Sequence, residues 1–263
     1  MATPRLIAFH SMKGGVGKTT ATVLFASYLA YELGARVIVY DMDGGQQSLS
    51  QLRTDELIKF HNPTVAYAQP PQPNPAERSK YAPADLRRLY NQQSGIQSFY
   101  PILQLSAHSL DAQLEQAADY DYVLIDMGGR FQEAEQQVLS RLDAVFIPMT
   151  TQMLDLSAGI KYALMLANLR QVDKTKPSLI TAFYWNRFER WYVATLLKTE
   201  KEFPAAKFGP FHRGYLLNRL KQAPSAFDKS RMLTTISSPY VMETAEKQAE
   251  MTDFFNELLS LLV

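Results

Sequence analysis

Lys13-Gly14-Gly15-Val16-Gly17-Lys18-Thr19-Thr20 stands between the apolar run Leu6-Ile7-Ala8-Phe9 and a segment with helical spacing that begins near Lys18. The order is that of a strand, a glycine loop and a helix. Glycines at 14, 15 and 17 let the backbone curl with its N–H groups inward, and the helix start adds its dipole, so the stretch reads as a concave anion site. Phosphate is the anion that suits it. At this spacing Lys18 reaches the β- and γ-phosphates and the Thr19 hydroxyl takes a place on Mg²⁺.

Two further aspartates support that reading. Val37-Ile38-Val39-Tyr40-Asp41 and Tyr122-Val123-Leu124-Ile125-Asp126 are continuous apolar runs, each closed by a carboxylate. Such runs mark strands of a buried parallel sheet, whose C-terminal ends gather on one edge. The expected fold is therefore α/β: a P-loop nucleotide hydrolase with a mostly parallel central sheet and helices on both faces.

The common G-x-x-x-x-G-K-[ST] form needs glycine at position 12, where this chain has Met12, followed by a second lysine, Lys13. KGGVGKTT resembles the deviant Walker A loop of the ParA/MinD family of ATPases, closest to the small ParA-type partition proteins. The resemblance implies ATP and Mg²⁺ as cofactors, held by residues Lys13, Gly14, Gly15, Val16, Gly17, Lys18, Thr19 and Thr20. It implies that Lys13 crosses a dimer interface to the partner's nucleotide, so Lys13 and Lys18 both count as catalytic.

The family's switch I pattern, Asp-x-Asp-Pro-Gln, is similar to Asp41-Met42-Asp43-Gly44-Gly45-Gln46. Gly44 replaces the proline, and Gln46 fits the glutamine only with one inserted residue. By resemblance Asp43 orients the attacking water, while Asp41 lies nearer the magnesium. Asp126, followed by Met127-Gly128-Gly129-Arg130, stands at Walker B and switch II. Thr19, Asp41 and Asp126 are thus the expected metal-side residues. After the apolar run Leu179-Ile180-Thr181-Ala182-Phe183, Asn186 is either a reader of the adenine edge, as in MinD relatives, or an ordinary turn asparagine.

Composition narrows the field. At 263 residues and 46% hydrophobic, the chain has enough apolar surface for one large domain over residues 1–263. It has no cysteine, which excludes disulfides, thiolate metal sites and the iron–sulfur branch of the superfamily. No apolar run reaches the length of a membrane span and no signal core is visible, so a cytoplasmic location is expected.

The formal net charge is +1. Residues 187–231 hold ten Lys/Arg against four Asp/Glu, a net +6, leaving seventeen against twenty-two elsewhere. Such a stretch is either a solvated helical face or an electrostatic footprint for nucleic acid, with Arg213, Arg219 and Lys221 as candidate DNA contacts. The interleaving of Trp185, Arg187, Phe188, Arg190, Trp191 and Tyr192 divides likewise between a half-packed helix and base stacking.

Elsewhere the pattern gives elements without chemistry. A helix is expected over residues 19–33, ended by Gly34, another over 84–93, a third over 154–169 that would line a dimer seam, and a last over 241–261. Ile102-Leu103-Gln104-Leu105 and Ala144-Val145-Phe146-Ile147-Pro148 are expected strands, and Phe208-Gly209-Pro210-Phe211 a strand-to-loop passage. Residues 63–83 hold six of the fourteen prolines and read as an extended surface loop, either a tolerated insertion or a docking segment. The last helix carries Glu246, Glu250, Asp253 and Glu257 on its polar face, where a membrane-surface helix would carry lysine and arginine.

By resemblance the chain is a ParA-like ATPase, nucleoid-associated if it binds DNA. ATP-dependent homodimerisation switches its nonspecific binding of double-stranded DNA, in plasmid partition, positioning of other cargo or conjugative transfer, with a ParB-like stimulating partner. With the loop only a dozen residues in, it is expected to be of the type without a preceding helix-turn-helix. The alternatives are a metabolic ATP-dependent ligase of the same fold and a MinD-like membrane-surface regulator, which the acidic last helix disfavours. A bacterial tyrosine kinase would carry a tyrosine-rich tail, whereas this sequence closes on Leu-Leu-Val.

Overall fold

Seven parallel strands form a single sheet in the order β3-β2-β4-β1-β5-β6-β7 among the described residues. This is a computed structural model, and it describes residues 3–42, 49–61, 99–150, 153–171, 179–186, 212–216, 235–236, 238–239 and 245–262. The strands are β1 Arg5–Phe9, β2 Val37–Asp41, β3 Ile102–Gln104, β4 Tyr122–Asp126, β5 Ala144–Met149, β6 Leu179–Trp185 and β7 His212–Leu216. Helices α1 Lys18–Ser27, α2 Leu49–His61, α3 Leu110–Gln116, α4 Glu133–Leu139 and α5 Met153–Gln171 follow β1 to β5 in turn, and α6 Ala245–Leu261 follows β7.

The central strands are apolar because both of their faces are covered. Ile7, Phe9, Val123, Leu124, Ile125, Ala144, Val145 and Phe146 are all buried, with Phe9 packed against Phe25, Phe146 and Tyr184. From β1 the chain crosses to β2 on one side, and from β4 it crosses to β5 on the other. Right-handed crossovers running in opposite directions lay their helices on opposite faces. The C-terminal ends of β1 and β4 lie where those two directions part, which is where open α/β sheets bind ligands.

The expected strands at 102–105 and 144–148 are present as β3 and β5, and the expected helix at 154–169 lies within α5. The helix expected over 19–33 is α-helical only to Ser27 and continues as a π-helical turn, Tyr28–Glu32, before Gly34 at φ +66°. There the Tyr28 ring stacks on Phe255 of α6 at 4.8 Å, and its hydroxyl donates to Asn256 at 2.9 Å. The wider turn accompanies these two anchors. In α6, Phe254, Phe255 and Leu258 are buried, as is Leu262 just after it, while Glu246, Glu250 and Asp253 are exposed.

β7 lies at His212–Leu216, just past the strand-to-loop passage expected at 208–211, which is outside the described residues. The proline-rich segment, the helix at 84–93, Asp43 with the rest of 43–48, Arg187 to Tyr192 of the aromatic and basic stretch, and Arg219 and Lys221 also fall outside them.

Candidate nucleotide site

β1 ends at Phe9, and the chain turns through Ser11, whose Oγ accepts from the Lys13 amide at 3.2 Å. Gly15 and Gly17 adopt φ +70° and +89°, and Gly17 serves as the N-cap of α1. A side chain at either position would be strained, so these two glycines shape the curl. A Cβ added at Gly14 or Gly15 would meet nothing within 4 Å, whereas one at Gly17 would stand 2.6 Å from Asn186 Nδ2. The loop is thus open on one side and braced on the other.

Lys18, the first residue of α1, is buried, and its Nζ donates to the Lys13 carbonyl at 2.9 Å across the loop. Lys13, Gly14 and Gly15 are exposed, Val16 is buried, and Thr19 and Thr20 are half-buried. The two lysines therefore occupy different surroundings, one ammonium held inside the loop and the other on its rim.

Asp41 and Asp126 close neighbouring strands and are register partners across the β2–β4 pairing, both fully buried. Asp41 Oδ2 accepts from the backbone amide and the hydroxyl of Ser50, each at 2.9 Å, and so caps the start of α2. Gln104 Nε2 donates to the same Ser50 hydroxyl at 2.6 Å. After Asp126, a Cβ on Gly129 would stand 3.0 Å from the Met12 carbonyl and 3.5 Å from Lys18 Nζ. The segment after β4 is folded back against the glycine loop, so closely that a side chain at Gly129 would require the Met12 backbone to give by a few tenths of an ångström.

Asn186 reaches the site from behind. Its backbone amide donates to Met149 at 2.7 Å, and Nδ2 donates to the Val16 carbonyl at 2.5 Å, so the side chain holds the inner turn of the loop. Arg213 is not part of this grouping. It lies near the N-terminal end of β7 in register with Ile180, three strands from β1 and away from the edge that carries the loop.

His10, for which the sequence indicated no chemistry, also lies at the site. It is fully buried, with Nε2 2.7 Å from the Gly128 carbonyl and Nδ1 bonded to the Tyr162 hydroxyl. Burial pushes its pKa down to about 4, against a raising contribution from the Gly128 bond, and the nearby Lys18 charge lowers it further. Its one sequence signal was a histidine standing directly after an apolar run.

These features fit a nucleotide triphosphate with its metal. The glycine edge is open, one ammonium is buried beneath it, and two carboxylates stand at the adjoining strand ends. The chain matches the family model of the CobQ/CobB/MinD/ParA nucleotide binding domain over residues 7–236. It belongs to that family.

Solved members of the CobQ/CobB/MinD/ParA group share its fold. The ParA of pNOB8 is similar with a TM-score of 0.56 at 16% identity, covering 98% of this chain and 97% of that one. MinD of Aquifex aeolicus, in its complex with MinC, gives 0.55 at 17%, covering 97% and 96%. A plasmid partition protein of Borrelia burgdorferi bound to AMPPNP gives 0.52 at 17%, covering 98% and 100%. Among curated proteins none matches the chain by sequence. No helix among the described residues is long and apolar enough to cross a membrane.

Proposed function

We propose that this chain is a Mg²⁺-dependent ATPase of the ParA type, whose ATP-bound form is a homodimer that binds duplex DNA without sequence preference. The observation that carries the reading is the pair of lysines: Lys18 buried within the loop, Lys13 exposed on its rim. Lys18 and the amides of residues 14–20 hold the phosphates, and Asn186 keeps the loop curled. Lys13 serves a second copy's nucleotide, and Asp43 orients the attacking water.

Thr19 and Asp126 hold the metal, with Asp41 beside them. A Mg²⁺ held there would supply charge neutralisation to the bound phosphates. The net +6 over residues 187–231 supports DNA as the surface engaged, with Arg213, Arg219 and Lys221 among the contacts. On this reading the protein partitions or positions DNA or other cargo, in the cytoplasm and on the nucleoid, with a ParB-like partner that stimulates turnover.

The test is ATP hydrolysis and duplex binding measured together, with and without Mg²⁺. Hydrolysis should require Mg²⁺, and tight duplex binding should require ATP. The logarithm of affinity should fall with that of salt by roughly 0.9 per phosphate contact. Alanine at Arg213, Arg219 and Lys221 should weaken all duplexes equally and flatten that slope. Hydrolysis that appears only with a small carboxylic acid present would favour the metabolic ligase instead. ATP-bound protein that ignores duplex at low salt would end the DNA reading.

A further inference from the structure

Three segments distant in sequence meet at the His10 ring. β1 delivers it directly before the phosphate loop, and its backbone amide still donates to Phe146 of β5 at 3.0 Å. On one side of the ring is the Gly128 carbonyl, two residues beyond Asp126, and on the other the hydroxyl of Tyr162 in α5. Phe131 packs edge-on against the Tyr162 ring at 6.1 Å, closing the group.

The chemistry of the partners sets the tautomer. A carbonyl only accepts, so Nε2 carries the proton and donates to Gly128, while Nδ1 accepts from Tyr162. Burial holds the imidazole neutral and pushes the Tyr162 hydroxyl well above its ordinary range, so both bonds keep their direction at neutral pH.

We propose that His10 is a positioning residue for the nucleotide site: it fixes the backbone at Gly128, and so the approach of Gly129 to Lys18, and couples that segment to α5 through Tyr162. A glycine pair after a strand has no side chain with which to anchor itself. Here the imidazole supplies the anchor. A shift of the 128–131 segment toward or away from the phosphate loop must stretch or break the His10 bond, and the same ring passes the shift to α5. The inference rests on the proposed ATPase reading for its kinetic consequence, but the bracing itself is a property of the protein without nucleotide.

Two variants cut the relay at different points and one restores part of it. His10→Leu removes both bonds. His10→Gln keeps an amide donor near the Nε2 position, and Tyr162→Phe removes only the α5 link. Amide hydrogen exchange on nucleotide-free protein should rise at residues 128–131 in His10→Leu, stay near parental there in His10→Gln, and rise mainly in α5 in Tyr162→Phe. With Mg-ATP, His10→Leu should lose about tenfold to a hundredfold in kcat with KM little changed, as misplacement of a site predicts. His10→Gln should recover most of that loss.

Parental exchange at 128–131 in His10→Leu overturns the proposal, as does a kcat equal to the parent's. If His10→Leu does not fold, Tyr162→Phe decides: parental exchange and parental kcat there overturn the coupling to α5. Should the parent itself fail to hydrolyse ATP, the ATPase reading falls, and the exchange measurement still settles the bracing.

Discussion

The side-chain amide of Asn186 donates to the carbonyl of Val16, 170 residues earlier in the chain, at 2.5 Å. The same nitrogen occupies the space that a Cβ on Gly17 would need. The end of β6 and the phosphate loop are thus fitted to each other. Asn186→Ala should leave the buried Val16 carbonyl unpaired and cost about 1–3 kcal/mol. Gly17→Ala should do worse for nucleotide affinity, because it adds strain at φ +89° to the collision. Denaturant midpoints and ATP-analogue titration would separate the two effects. Parental affinity in Gly17→Ala would contradict the fitted geometry.

The lysines should separate cleanly. Lys18→Ala is expected to abolish nucleotide binding. Lys13→Ala is expected to bind but to lose dimerisation and turnover, since a cation supplied from a neighbouring subunit is worth roughly 10³- to 10⁵-fold in rate. Equilibrium binding and size measurement with ATP would check this. Parental hydrolysis by Lys13→Ala would remove the trans role.

Stability should fall on the acid side of neutrality because of His10. Its pKa is held at about 4 in the folded protein against an ordinary 6.5, so between those values the unfolded chain takes up a proton that the folded one refuses. The stabilisation is complete above the higher value and is lost as pH falls toward the lower, by up to about 3 kcal/mol. Urea midpoints at about pH 7 and about pH 5 should differ more in the parent than in His10→Gln. Equal differences would assign the acid sensitivity elsewhere.

Ser50→Ala should cost about 1 kcal/mol, the usual value of a lost cap contact. It removes the hydroxyl that bonds Asp41 and also accepts from Gln104. Thermal unfolding would measure it. An unchanged midpoint would mean that Asp41 does not depend on the Ser50 hydroxyl.

The phosphate loop, the two aspartates and the buried strands were legible in the sequence because their signals are local. A glycine loop between an apolar run and a helical pattern needs no distant partner to be recognised, and neither does a carboxylate closing Val37–Asp41 or Tyr122–Asp126. β7 was less legible, since His-Arg-Gly-Tyr-Leu has glycine at its centre and no apolar run. His10 has no ligand spacing with the other histidines and was given no role, because its partners lie 118 and 152 residues away. For Asn186 the sequence offered a base contact or a plain turn, and the brace on Val16 depends on β6 ending directly behind the loop. Contacts made across the sheet leave no periodicity to read.

The Asp41–Ser50 contact ties together two points nine residues apart, on either side of the segment that contains Asp43. One carboxylate therefore clamps the root of that segment, with β2 and α2 as its fixed posts. Lengthening a closed loop is cheap, about 0.6 kcal/mol per doubling. A clamp at the root confines the change to the span between the posts, so an added residue shifts neither the sheet register nor the helix. The chain can carry Gly44 and Gly45, one residue more than the pattern it resembles, with Asp41 and Asp126 still side by side. The clamp makes this span a place where the chain can lengthen without a change of architecture.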